Sequence, residues 1–161
     1  MRGRANGLAT EGYRLRCALE AWRATNPKQV DVVKGLDSLT MPSGATDQTA
    51  LLANAFFAAT SIYLSGIYDY TISLWVGWGV SVPILSVEDV QYHVITILNS
   101  ITWALEKSSI SHLLYLFPLR VAGARCANKW QRDQVLMLLR RVGANFAVAQ
   151  AFESDLRLLW G

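Results

Sequence analysis

VEDVQYHVITILNSITWALEK, Val87 to Lys107, decides how the rest of the chain is read. Val87, Val90, Val94, Ile97, Leu98, Ile101 and Leu105 recur at three- and four-residue steps, which places them in one stripe along an α-helix. Ser86 stands where its side chain caps the first turn. Glu88 and Asp89 follow where the helix dipole favours negative charge. A stripe of this width needs apolar partners on other helices, and the flanking sequence offers them.

Downstream, Ile110 to Phe117 reads as a short apolar segment ended by Pro118, with a short helix over Leu119 to Ala127. Asn128 is placed to cap a helix running to Val142, with Gly143 as its stop and Trp130, Val135, Leu138, Leu139 and Val142 as its apolar face. A last helix, Asn145 to Trp160, is expected to bury Phe146, Ala149, Phe152, Leu156 and Leu159. Upstream, Thr71 to Ser86 holds Gly77, Gly79 and Pro83 and reads as an ordered aromatic loop, in which Trp75 and Trp78 lid the core.

Asp47 to Tyr70 is the longest helix candidate. Leu51, Leu52, Ala55, Phe56, Ala59, Ile62, Tyr63 and Ile67 keep helical spacing, and no charge falls between Gln48 and Tyr68. That length approaches a membrane span. Five polar residues within it, Gln48, Asn54, Thr60, Ser61 and Ser65, and the lack of basic anchors argue instead for a buried central helix. Ala9 to Ala24 forms a first helix that stops before Asn26-Pro27, and Lys28 to Ala45, with Gly35, Pro42 and Gly44, reads as a loop. The whole, residues 1–161, reads as one all-α domain, an irregular bundle of about six helices, with 1–46 the least patterned part.

Composition narrows function mainly by exclusion. The chain has 161 residues, 52% hydrophobic and only 17% charged, fewer charges than the ~25% of an ordinary soluble domain. Such a chain has a large core, a partner surface, or both. The two cysteines, Cys17 and Cys126, make neither a disulfide framework nor a zinc finger and read as reduced and buried. Met1 to Leu8 lacks the apolar core of a signal peptide. Net charge is +3. From Gln48 to Glu106 the charges are Asp69, Glu88, Asp89 and Glu106, whereas Leu119 to Val142 carries Arg120, Arg125, Lys129, Arg132, Arg140 and Arg141 against Asp133. The basic third reads as solvated helix faces or a docking face for the acidic middle. A bare basic helix is weak support for nucleic-acid binding.

No catalytic, metal or cofactor site emerges. Asp89 and His93 lie one helical turn apart, so a carboxylate could orient an imidazole, but no nucleophile or metal ligand stands with them. Two histidines and two cysteines fall short of a metal site, and there is no phosphate-binding or dinucleotide-binding glycine loop. An enzyme on this scaffold would have to draw on Asp69, Asp89, Tyr92 and His93. Arg120 and Arg125 flank Val121-Ala122-Gly123-Ala124, whose small side chains let another backbone approach. We read this segment, opened by Pro118, as a structural lock.

The runs SIYLSGIYDY (Ser61 to Tyr70), HVITILNSITWAL (His93 to Leu105), FPLRVAGARC (Phe117 to Cys126), WQRDQVLMLLRRVG (Trp130 to Gly143) and AFESDLRLLW (Ala151 to Trp160) resemble, in this order, the C-terminal part of the fungal-specific transcription factor domain. In that family the domain follows a six-cysteine binuclear zinc cluster. This chain has no such cluster, so no DNA-contacting residue carries over. The resemblance implies a C-terminal piece of a regulator: a fragment, a short paralogue or a separately encoded remnant. It also implies a place in the nucleus or cytoplasm, no cofactor, and a role in partner binding or dimerisation. The alternative is an enzyme or ligand-binding protein of secondary metabolism built on the same scaffold. Lacking its upstream helices, the chain is expected to self-associate or to bind a larger helical regulator through a surface around Phe56, Ile62, Trp75 and Trp78. The competing expectation is that the first helix folds back and covers that surface with Leu15, Leu19 and Trp22.

Overall fold

The computed structural model describes residues 2–27, 48–65, 84–107, 111–143 and 146–161. Among them are six α-helices, one 3-10 turn and no strand. The helices are α1 (Arg2–Thr25), α2 (Gln48–Tyr63), α3 (Val87–Lys107), α4 (Leu116–Gly123), α5 (Lys129–Gly143) and α6 (Ala147–Trp160), with the 3-10 turn, His112–Tyr115, leading into α4. The all-helical expectation holds, and most boundaries fall within a few residues of the sequence reading.

Helix α3 starts as its sequence says. The Ser86 hydroxyl accepts from the Asp89 N–H at 3.0 Å and donates to the Asp89 carboxylate at 2.9 Å. Helix α5 is capped in the same way, with the Gln131 N–H donating to Asn128 Oδ1 at 3.0 Å. Helix α1 begins at Arg2 rather than Ala9, since Arg and Ala favour helix and no proline intervenes. Its last carbonyls are taken by side chains: Thr25 Oγ1 and Asn26 Nδ2 both donate to the Trp22 carbonyl at 2.9 Å. Helix α2 ends at Tyr63, short of the expected Tyr70. Ser65 then bends away, and its hydroxyl accepts from the Leu85 N–H at 3.3 Å. Residues 66–70 lie outside the described residues, as does the Thr71 to Pro83 part of the aromatic loop with Trp75 and Trp78. Helix α4 corrects the sequence reading: it starts at Leu116 and takes Pro118 inside its first turn. The N–H that proline lacks is among the first four, which have no partner within a helix.

The Ser65–Leu85 bond brings the end of α2 to the start of α3, so the two long helices run antiparallel as the central hairpin. Its core side holds Leu51, Ala55, Ala58, Ile62, Val94, Ile97 and Ile101, closed by Tyr115, Leu119, Val135, Leu138 and Leu156. Each large apolar side chain enclosed here contributes about 1.5–3 kcal/mol. Helix α3 is tied to α5 by amides as well: Gln91 donates to the Arg125 carbonyl, Gln131 donates to Gln91 Oε1, both at 2.9 Å, and Gln131 Oε1 accepts from the Ala127 N–H at 2.7 Å.

Several expected core positions face solvent instead. Val87, Trp130 and Leu159 are exposed, because each sits at a helix end where the bundle no longer covers it. Cys17 is exposed on α1 and Cys126 half-buried, against the expectation that both are enclosed. Burial pushes the Cys126 thiol up to about 12.

Helix α4 lies at the centre of the second half, against α2, α3, α5 and α6. Gly123 makes this possible: a Cβ there would stand 2.5 Å from Leu156 Cδ1 and 2.8 Å from Cδ2. Leu156 is fully buried and has nowhere to retreat. Gly123→Ala should therefore lower the unfolding free energy by about 1–3 kcal/mol despite alanine's better helix propensity. Denaturant melts of Gly123→Ala in wild-type and Leu156→Ala backgrounds check this. The cost should largely vanish in the second background, and an equal cost in both would refute the steric account.

Candidate interaction surface

No side chain of α2 carries a charge. Its core face needs none. Its opposite face presents Leu52, Ala53, Phe56 and Thr60, all half-buried, and Tyr63, 48% exposed. Two elements flank this face. On one side Phe117 of α4 meets the Phe56 ring at 5.9 Å and the Tyr63 ring at 6.0 Å, with Leu113 and Leu114 of the 3-10 turn exposed nearby. On the other side α1 leans on Phe57: Trp22 stacks on that ring at 6.3 Å, and the Arg23 guanidinium lies 5.3 Å from its centre. Between α1 and α2 is an open cleft of about 200 Å³ lined by Leu19, Trp22, Ala53, Phe56, Phe57 and Thr60. Phe56 belongs to both the cleft and the aromatic cluster. Cleft and cluster therefore adjoin at Phe56, and together they form the apolar groove along α2 between α1 and α4.

This arrangement settles part of the surface expected from sequence. Phe56 lies in the groove. Ile62 does not: it is fully buried, since it falls on the core face of α2. Trp75 and Trp78 lie outside the described residues. Leu19 and Trp22 do fold back onto α2, but they wall the groove rather than fill it, and Leu15 stays exposed. Tyr63 was legible as a groove residue, seven positions from Phe56 and so on the same face. Phe117 was not, because its contact with Phe56 is made between distant segments.

The end of the groove near α3 holds a buried polar group. His93 is 8% exposed, packs edge-on to Phe57 at 6.1 Å, and has no protein partner at Nδ1. Burial is the main cause that lowers its pKa from 6.5 to about 4. Arg16 and Arg23 of α1 lower it further, and Asp89 opposes them. Asp89 is engaged by Ser86 rather than by Nδ1 of His93. Tyr92 lies exposed with its ring 5.7 Å from that of His93, and Asp69 is outside the described residues. Among the described residues no three potential metal ligands cluster, and no helix is long and apolar enough to cross a membrane.

Pro118 is buried in the first turn of α4. Arg120 reaches across to α6 and pairs with Asp155 at 2.6 Å. The Arg125 carbonyl takes the Gln91 bond. Other cations of the C-terminal half are also engaged. Arg140 and Arg157 converge on Glu153 at 2.7 and 2.8 Å, which holds that carboxyl down at about 2, and Arg132 lies 5.5 Å from the Trp160 ring. A second cleft, about 250 Å³, lies beside the Arg140–Glu153 pair and is lined by Leu139, Gly143, Ala149 and Gln150 as well. Its two ionic side chains already satisfy each other.

No protein-family model matches the chain, and no curated protein and no solved structure is significantly similar to it.

Two outcomes follow from these environments. The folded chain holds His93 neutral, whereas the unfolded chain takes up its proton near pH 6.5. His93 therefore costs no stability above about pH 6.5 and removes up to about 3 kcal/mol as pH falls from there through about 4. Urea melts from pH 7.5 to 4 should show this limb in wild type and lack it in His93→Gln; an identical limb in both would assign it elsewhere. Because Asp155 is 55% exposed, Arg120→Ala should cost only about 1 kcal/mol. A double-mutant cycle with Asp155→Ala measures it, and a coupling energy near zero would remove the lock role.

Proposed function

We propose that this chain is a helical interaction module of a transcription regulator, without DNA binding of its own, whose working surface is the α2 groove. The observation that carries this reading is the uncharged face of α2 lying open between two walls, with Phe56, Tyr63 and Phe117 presented together. Contiguous exposed apolar surface in a chain with few charges marks a partner site. The shape fits one class of occupant. Helix α2 has 16 residues and is about 24 Å long, enough to seat three or four turns of an amphipathic helix that inserts side chains at positions i, i+3 or i+4 and i+7. The regulatory context comes from the likeness of its ordered sequence runs to the C-terminal part of the fungal transcription factor domain. The pairing of Arg120, Arg140 and Arg157 with acids supports a protein rather than a nucleic-acid partner.

Photo-crosslinking in the source cells tests the site. A benzophenone amino acid at Phe56 or Phe117 should trap a discrete polypeptide, either a larger helical protein or a second copy, and one at exposed Glu106 should not. Phe56→Asp placed with the crosslinker at Phe117 should reduce the adduct at least tenfold. No polypeptide adduct from either groove position, or equal adducts from Glu106, would overturn the reading.

A further inference from the structure

The groove has one substantial wall and one slight one. The α4 wall is part of the core: Leu116, Leu119, Val121 and Ala122 are buried. Helix α1 is held differently. Of its described side chains only Ala9 is buried, and among the described elements it packs chiefly on α2. Its attachments gather in one place: Trp22 on Phe57, Arg23 over the same ring, and Arg16 Nη1 donating to the Ser61 carbonyl at 3.3 Å. On the other edge of Phe57 lies His93. The contact that holds α1 down therefore shares the Phe57 ring with a buried imidazole, and two arginines of α1 act on that imidazole through their charge.

We propose that α1 is a releasable wall of the groove, docked while His93 is neutral and released when His93 takes a proton. The charged groups acting on the imidazole are few. Arg16 and Arg23 come from α1 and disfavour a second positive charge. Glu20, also on α1, is shared between them at 3.5 and 3.9 Å and tempers their effect. Asp89 on α3 favours the proton but is held by Ser86. Helix α2 brings no charge at all. Undocking α1 removes both arginines and admits water to the ring, so the released state binds the proton more tightly than the docked one. Acid then drives release by simple linkage. With His93 at about 4 when docked and returning to 6.5 when released, the released-to-docked ratio rises by about tenfold between pH 7.5 and pH 5.5. Once undocked, α1 frays, since Gly3, Gly7 and Gly12 lower helix propensity in its first half and the contacts to α2 no longer hold it. Release takes away the Leu19 and Trp22 wall; that effect on a partner rests on the reading above, whereas release itself is measured on the chain alone.

Amide hydrogen exchange followed by NMR tests it on the full chain, with rates corrected for the intrinsic effect of pH. At both pH values the α1 amides of Arg16 to Glu20 should be less protected than those of Val135 to Leu139 in α5. Their protection should fall about tenfold from pH 7.5 to 5.5 in wild type and in His112→Gln, and should stay constant in His93→Gln. If His93→Gln does not fold, His112→Gln leaves His93 as the sole histidine, and its ring signals should titrate with a midpoint well below 6.5 while α1 protection falls. One protection factor shared by α1 and α5 would show that α1 leaves only on global unfolding. That result, or a pH response that persists in His93→Gln, or a ring midpoint near 6.5, overturns the proposal.

Discussion

The contact between Gly123 and Leu156 is the constraint on which the second half of the molecule depends. It lets the buried Leu156 side chain of α6 rest against the α4 backbone, where a Cβ at position 123 would overlap its methyl groups. Other contacts become possible from there. Trp160 Nε1 donates to the Gly123 carbonyl at 3.0 Å, Arg132 covers the Trp160 ring, and Arg120 spans to Asp155. With α6 seated, α5 is fixed between it and α3, and the Gln91–Gln131 amide pair closes the joint. An eight-residue helix thus organises three longer ones. Its tolerance of Pro118 in the first turn and its end at Gly123 are what let it be so short.

The first half has a different logic. Helix α2 lacks charge on every face, which suits a helix enclosed all round. The bundle encloses only its core side. Helices α1 and α4 flank the other side, and the aromatic residues Phe56, Tyr63 and Phe117 remain partly in water. The polar side chains on this hairpin are unusual as well. Asn54 and Ser61 on α2, and His93 and Ser100 on α3, are buried at seven-residue spacing, and each has a side-chain atom with no protein partner. Buried polar atoms of this kind lower stability compared with apolar ones of similar shape. The hairpin core thus carries four such residues beside a half-covered aromatic face.

The fold was legible where local signals are strong. Ser86 and Asn128 act as caps, the Val90 to Ile101 stripe faces the core, and Gly143 ends α5, all from spacing and side-chain chemistry alone. The first turn of α4 was misplaced because proline reads equally well as a stop or as a first-turn residue, and tertiary packing makes the choice. Trp130 and Leu159 were assigned to the core because periodicity gives the direction of a side chain but not whether a neighbour reaches it. The groove was half legible. Its floor was visible in the uncharged run with Phe56, whereas Ile62 was assigned to it from hydrophobicity, which does not distinguish the two faces of an all-apolar helix. The wall residue Phe117 depends on a fold no local pattern encodes. The buried state of His93, and the arginines set against it, likewise come from three helices meeting.

The outer face of α2 is open to solvent while its inner face is sealed. Relaxation of phenylalanine ring signals by a soluble paramagnetic agent reads this directly in the isolated chain, with the rings labelled and assigned. The Phe117 and Phe56 rings should be strongly relaxed, Phe117 the more so, while Phe57, sealed beneath Trp22 and against His93, should be spared at neutral pH. Phe56 and Phe117 rings as protected as Phe57 in a monodisperse monomer would mean that the groove is closed, and the interaction surface with it.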